Sequence, residues 1–161
     1  MTGPQGSTGP QGEPGPQGAT GPQGEPGPVS PGVFASYLST NLRLETRQPL
    51  LLSEQIPDTT GTIIQQSDTE LLLPAGFYSI SLYLSAIMST EGLVQVTPVY
   101  GSTPQTEFST LASVADSSLP FLLSRTLLLS FPGGTLSFLL ISSGIIVGGT
   151  FNVIIEKLER P

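Results

Sequence analysis

Side chains able to do chemistry are scarce in this chain. It has no His and no Cys. Without His there is no ordinary general base, no Ser-His-Asp arrangement and no common transition-metal ligand. Without Cys there are no disulfides, thiol nucleophiles or thiolate zinc sites. Carboxylates remain, with many serines and a single lysine, Lys157. A carboxylate pair or a Ser–Lys pair would be the only route to catalysis, and no motif brings either together. Asp58, Asp68 and Asp116 are scattered loop acids without the spacing of an EF-hand. Solvated carboxylates are the plainer reading. The basic residues Arg43, Arg47, Arg125, Lys157 and Arg160 form no cluster in a chain of net charge −7. That excludes the electrostatic footprint of a nucleic-acid binder. The expectation is therefore a protein without a catalytic site, a cofactor or a metal, whose chemistry is assembly.

Assembly is written into the first stretch. Gly3, Gly6, Gly9, Gly12, Gly15, Gly18, Gly21, Gly24 and Gly27 keep an unbroken period of three. Proline fills the second place at Pro4, Pro10, Pro16, Pro22 and Pro28, and the third at Pro14 and Pro26. Only glycine fits where three polyproline-II strands meet, so residues 3–29 are predicted to be a collagen-like stalk. A disordered linker would not hold glycine in phase. The 27 residues would span about 80 Å at roughly 3 Å each. One such strand has no core of its own, so the first partner expected is the chain itself, as a homotrimer. No Lys or Arg lies in the repeat to pair Glu13 or Glu25 across strands, and a short stalk of this kind needs an attached trimerising domain. Met1 stands directly before the repeat with no charged or apolar leader region. The expectation is a chain whose native start, with any anchoring or export segment, lies elsewhere.

Residues 30–32 break the phase and form a junction. Residues 33–161 are the size of one domain with a real core, and their net charge is −5 once Glu13 and Glu25 are set aside. No helical period runs longer than two turns. Short strands punctuated by Pro and Gly predict an all-β sandwich of about ten strands in two Greek-key sheets. They fall at 33–38, 41–44, 49–52, 61–66, 69–73, 76–88, 93–100, 107–114, 121–131, 135–142 and 150–158. The clearest is 76–88, where Tyr78, Ile80, Leu82, Leu84 and Ala86 alternate with serines, the mark of a half-buried strand.

Thr126 to Ile155 is thirty residues without a charge. Pro132, Gly133-Gly134, Ser142-Ser143-Gly144 and Gly148-Gly149 cut it into pieces shorter than the roughly 20 residues of a spanning helix. No membrane span is expected. The pieces read as strands covered on both faces, by the domain's own core and by neighbouring subunits. Tyr78, Ile80, Leu82, Leu84, Leu127, Leu129, Phe138 and Phe151 are accordingly the candidates for head core or trimer interface. Arg125 interrupts an apolar row of Phe121, Leu123, Leu127, Leu129 and Phe131. Either the strand edge is exposed there and the side chain reaches solvent, or Arg125 makes an ion pair across a subunit boundary. Tyr100 and Phe108 flank a loop expected at the end away from the stalk, as core residues or as exposed aromatic anchors for a ligand.

Three pieces of the head carry a resemblance: Val33-Phe34-Ala35-Ser36, Gly76-Phe77-Tyr78-Ser79-Ile80, and Gly149-Thr150-Phe151-Asn152-Val153-Ile154-Ile155. With a collagen stalk ahead of them, they resemble the complement C1q and tumour-necrosis-factor superfamily, whose ten-strand jelly rolls form tight homotrimers. Val94-Gln95-Val96 before the Gly101 turn, and Ile154-Ile155-Glu156-Lys157 near the end, are similar to BclA-like collagen-like glycoproteins of the exosporium nap of bacterial spores. The stalk departs from those in favouring Gly-Pro-Gln and Gly-Glu-Pro over Gly-Pro-Thr. Thr8 and Thr20 are its only third-place threonines, which argues against dense stalk glycosylation. The resemblance implies an extracellular structural protein, on a spore or cell surface, whose head nucleates and caps the triple helix. The alternative is an adhesion module, or a phage fibre tip, whose head recognises a host receptor, a glycan or a complement protein.

Overall fold

The structure is a computed structural model of one chain, and it describes residues 1–15, 17 and 32–159. The chain divides into two units, Met1–Ser30 and Pro31–Pro161. In the first, residues 1–15 carry no helix, strand or turn and are exposed. A Cβ placed on Gly3, Gly6, Gly9, Gly12 or Gly15 would meet nothing within 4 Å in this single chain. Any crowding at those glycines has to come from other chains. Gly18, Gly21, Gly24, Gly27 and Arg160 lie outside the described residues.

The second unit is an all-β sandwich. In chain order its strands are β1 (Phe34–Ser39), β2 (Arg47–Pro49), β3 (Ser53–Ile56), β4 (Ile64–Gln65), β5 (Leu71–Leu73), β6 (Gly76–Met88), β7 (Gly92–Tyr100), β8 (Thr103–Pro104), β9 (Thr110–Val114), β10 (Phe121–Phe131), β11 (Gly134–Ser142) and β12 (Ile146–Leu158). Sheet one runs β10-β6-β12-β1-β3; sheet two runs β4-β5-β11-β7-β8, with β2 also on β11 and β9 also on β7. All the pairings are antiparallel. Long strands with period-two patterning bury one face of each sheet in a shared core of Leu, Ile, Val and aromatic side chains.

The strand count is twelve rather than about ten, and the differences have physical causes. The predicted strand at 49–52 is a crossing between the sheets. Leu50 donates its amide to Phe138 of sheet two (2.8 Å) and Leu52 donates to Asp68 (2.6 Å), while both side chains are buried. Residues 41–44 form no strand; Leu44 makes only a bridge to Ile146. The strand predicted to begin at 107 begins at Thr110, after a 3₁₀ turn at Thr106–Phe108. The last strand starts earlier than predicted, at Ile146, and absorbs Gly148-Gly149 through a bulge. Gly149 permits this close pairing, because a Cβ there would lie 2.5 Å from Ala86 Cβ and 2.6 Å from the Ser85 carbonyl oxygen.

Candidate functional site

The long strands of sheet one set the geometry of its outer face. Pairing registers place Leu122, Ser85 and Thr150 in one row. Ser124, Tyr83, Asn152 and Leu38 form another, and Leu128, Ser79, Glu156 and Phe34 a third. Bulky apolar side chains thus stand on a floor of small polar ones, two of which bond to each other (Ser81 Oγ to Thr126 Oγ1, 2.9 Å). Leu122 is 69 % exposed, Leu128 71 % and Tyr83 45 %. Apolar groups repeated across one sheet face mark an interaction surface, whereas single ones are ordinary. The outer face of sheet two differs. Leu93 and Leu111 are exposed there too, but Gln95, Thr97 and Ser109 form a closed polar network between β7 and the start of β9, at 2.8–3.0 Å.

All eight candidate core or interface residues, Tyr78, Ile80, Leu82, Leu84, Leu127, Leu129, Phe138 and Phe151, are buried in the chain's own core. The exposed apolar side chains are instead their outward neighbours on the same strands, Tyr83, Leu122 and Leu128, which the sequence reading did not single out. The alternation that identified Tyr78 and Leu84 also located Tyr83, and an aromatic ring in a serine row was the available signal.

Arg125 has the inward parity of β10, between buried Leu123 and Leu127. It lies on the free edge of sheet one, and it is exposed. Its Nη1 donates to the Ser109 carbonyl oxygen (2.7 Å), bridging the two sheets where β10 meets β9.

Tyr100 meets Phe131 edge-on at 4.9 Å between ring centroids. Tyr100 and Phe108 are both partly buried against the core. The pairing registers place the loop after Tyr100. Tyr100 pairs with Leu136 near the start of β11, and Phe131 with Gly76, so this loop shares the end at which the chain enters β1 and leaves β12.

Among the described residues, no group of three or more His, Cys, Asp or Glu could hold a metal ion. Asp116 is exposed and accepts from the Ser118 amide (2.8 Å) and hydroxyl (2.6 Å). Asp58 is a fold element. Its carboxylate accepts the amides of Thr60 (2.9 Å), Thr62 (2.7 Å) and Ile63 (2.9 Å) and the Thr60 hydroxyl (2.8 Å). Gly61, at φ 71°, lets the loop wrap around it. Those captured amides explain why the predicted 61–66 strand shrinks to Ile64–Gln65. Burial pushes the Asp58 carboxyl up, but the hydrogen bonds from Ile63, Thr60 and Thr62 together outweigh it and hold its pKa below the usual value. A lowered carboxylate pKa contributes stability that is fully present above the unfolded-state value and lost as pH falls through the folded one. Amide protection at Thr60, Thr62 and Ile63, relative to the intrinsic exchange rate at each pH, should therefore fall in acid, below about pH 4. In Asp58→Asn it should be low already at neutral pH; NMR exchange rates across that range check both.

Buried Tyr37 has its pKa pushed up to about 12, chiefly by burial and then by the charges of Glu54 and Asp58. It stays a neutral core residue and offers no acid–base chemistry near pH 7. Among the described residues, no helix is long and apolar enough to cross a membrane.

No family model matches the chain, and no curated protein sequence does. Solved structures do. The globular domain of zebrafish complement 1qA matches at TM-score 0.58 and 13 % identity, over 81 % of this chain and 100 % of that one. Eiger TNF from S. frugiperda matches at TM-score 0.64 and 10 % identity, over 82 % and 96 %. The second unit has the C1q/TNF-like jelly-roll fold. The same jelly roll covers 79 % of this chain and 97 % of PRD1 vertex protein P5, at TM-score 0.54 and 12 % identity. Identities this low speak to fold alone.

Proposed function

We propose that this chain is a structural surface protein: a homotrimer whose C1q/TNF-like jelly-roll head nucleates and caps a collagen-like stalk, in a hair-like coat such as a spore exosporium nap. The observation that carries the reading is the union, in one chain, of nine unbroken Gly-X-Y triplets with a jelly roll that leaves Leu122, Tyr83 and Leu128 uncovered on one sheet. The repeat requires two further copies side by side, and the apolar face supplies somewhere for them to meet. Domains of this fold characteristically assemble as trimers, which supports the same stoichiometry. Arg125, exposed at the β10 edge, would in such a trimer make an inter-subunit ion pair with a neighbour's carboxylate.

Light scattering and melting of the chain and of Gly15→Ser test the division of labour. The substitution should lower the collagen melting transition, because a side chain cannot fit at the triple-helix axis, and leave the mass at three chains. A mass of one chain would mean that the stalk drives assembly and the head is a passenger. The second reading is an adhesion head or fibre tip. Three identical heads on one stalk would multiply weak sites by avidity.

A further inference from the structure

A cavity of about 450 Å³ opens at the β3 margin of sheet one, the edge opposite β10. That volume lies within the range of small-molecule sites, ~300–1,000 Å³. Its wall is built by an alternating segment. Leu42 and Leu44 are buried, and their amides donate to Gly149 (3.0 Å) and Ile146 (3.1 Å). That anchoring turns Asn41, just before Leu42, and Arg43, between the two leucines, outward, where both line the cavity. Asn41 holds φ at 55°, the left-handed region that asparagine enters more readily than other non-glycine residues. Across from them, Ser53 and Gln55 complete the polar lining, with Leu38 and Leu51 as the apolar part. The Ser39 hydroxyl donates to the Leu51 carbonyl and ties the two walls together. Among the described residues, the side chains of Asn41, Arg43 and Ser53 make no hydrogen bond or ion pair.

We propose that this cavity binds an acidic monosaccharide unit, a pyranose bearing one carboxylate, through Arg43, Asn41, Ser53 and Gln55. Each part of the lining answers a part of that ligand. The guanidinium is a planar fork for one carboxylate. Among the described residues, Arg43 is the one charged side chain that lines the cavity. Amides and hydroxyls both donate and accept, as adjacent sugar hydroxyls require. Leu38 and Leu51 suit the C–H face of the ring. A single arginine, with no lysine beside it, matches one carboxylate better than a phosphate or a polysulfated chain. No nucleophile–base pair lines the site, so it binds without turnover. All the lining residues come from one chain, and Leu38 also stands in the Tyr83 row of the face proposed to meet other copies.

The test is an NMR titration of the full chain with sodium D-glucuronate, with D-glucose and sodium acetate as comparison probes. Glucuronate should shift the Asn41 and Gln55 side-chain amide signals at tens of millimolar or below. Glucose and acetate should shift them far less. Arg43→Gln should weaken glucuronate binding roughly tenfold or more, the loss of a charge-assisted contact. Gln55→Ala should weaken glucuronate but leave the residual acetate response unchanged. Both variants should keep the wild-type melting temperature, because both side chains are exposed. No shift with glucuronate overturns the proposal. Equal response to glucose overturns the role of Arg43, and equal response to acetate overturns the sugar. A wild-type affinity in Arg43→Gln moves binding elsewhere.

Discussion

Leu128→Glu is expected to reduce the head to single chains with its β-structure intact. Leu128 is 71 % exposed in the isolated chain, so a glutamate there costs the monomer nothing in packing. In a trimer built on the outer face of sheet one, the same position is covered. Each chain would then lose the burial of a leucine, ~1.5–3 kcal/mol. Each would also place a carboxylate in the interface without a partner, at a further cost of several kcal/mol. Glu156 shares its row and would repel it. Repeated three times, this exceeds what a head of this size can absorb. Light scattering should read one-third of the wild-type mass, with the far-UV spectrum unchanged. Leu111→Glu is the control. It is 61 % exposed, but it sits on sheet two beside the Gln95–Thr97–Ser109 network, and the substitution should leave the trimer whole. A trimeric Leu128→Glu head would show that the face is solvent-facing and that the copies meet elsewhere.

The contrast between Leu128 and Leu127 explains what was legible beforehand. Alternation in β6 and β10 announces which residues share a face, and the inward set is recognisable because it is uniformly apolar. What alternation leaves open is whether the other face meets water or protein; Tyr83, Leu122 and Leu128 among serines fit either. The segments read wrongly share one cause: their backbone bonds go to non-neighbouring partners that local pattern does not name. Leu50 and Leu52 carry strand periodicity, yet their amides serve Phe138 and Asp68. Residues 61–66 read as a strand, yet the Asp58 carboxylate takes the amides of Thr62 and Ile63 first. Gly148-Gly149 looks like a turn and is instead a strand, since its use depends on how closely Ala86 approaches. The cavity at Asn41 and Arg43 was invisible for the same reason. Its two walls are separated along the chain and are brought together by β1–β3 pairing.

Tyr78→Ala should be the most destabilising single change in the head. The side chain is fully buried. Its ring stands edge-on to Phe131 at 6.1 Å, and Phe131 in turn meets Tyr100 at 4.9 Å. Its hydroxyl donates to the Pro74 carbonyl oxygen (2.9 Å) and pins the turn that leads into β6. Truncation removes a large aromatic from the junction of three strands and leaves a cavity that β6, paired on both sides, cannot close. The expected loss is ~3–5 kcal/mol, the range for large-to-small core changes. Tyr78→Phe separates ring from hydroxyl and should cost only ~0.5–1.5 kcal/mol. Burial, and after it the charge of Asp58, raises the phenol pKa. A raised phenol favours the neutral form in the fold, so stability should fall as pH climbs past about 10, and Tyr78→Phe should soften that fall. Because an assembled head gains stability from its own concentration, the urea midpoints belong in the Leu128→Glu background, where one chain unfolds alone. A loss under about 1 kcal/mol there would place the ring outside the load of the core. The core would then rest on Phe138 and Phe151, which meet at 5.7 Å between the two sheets.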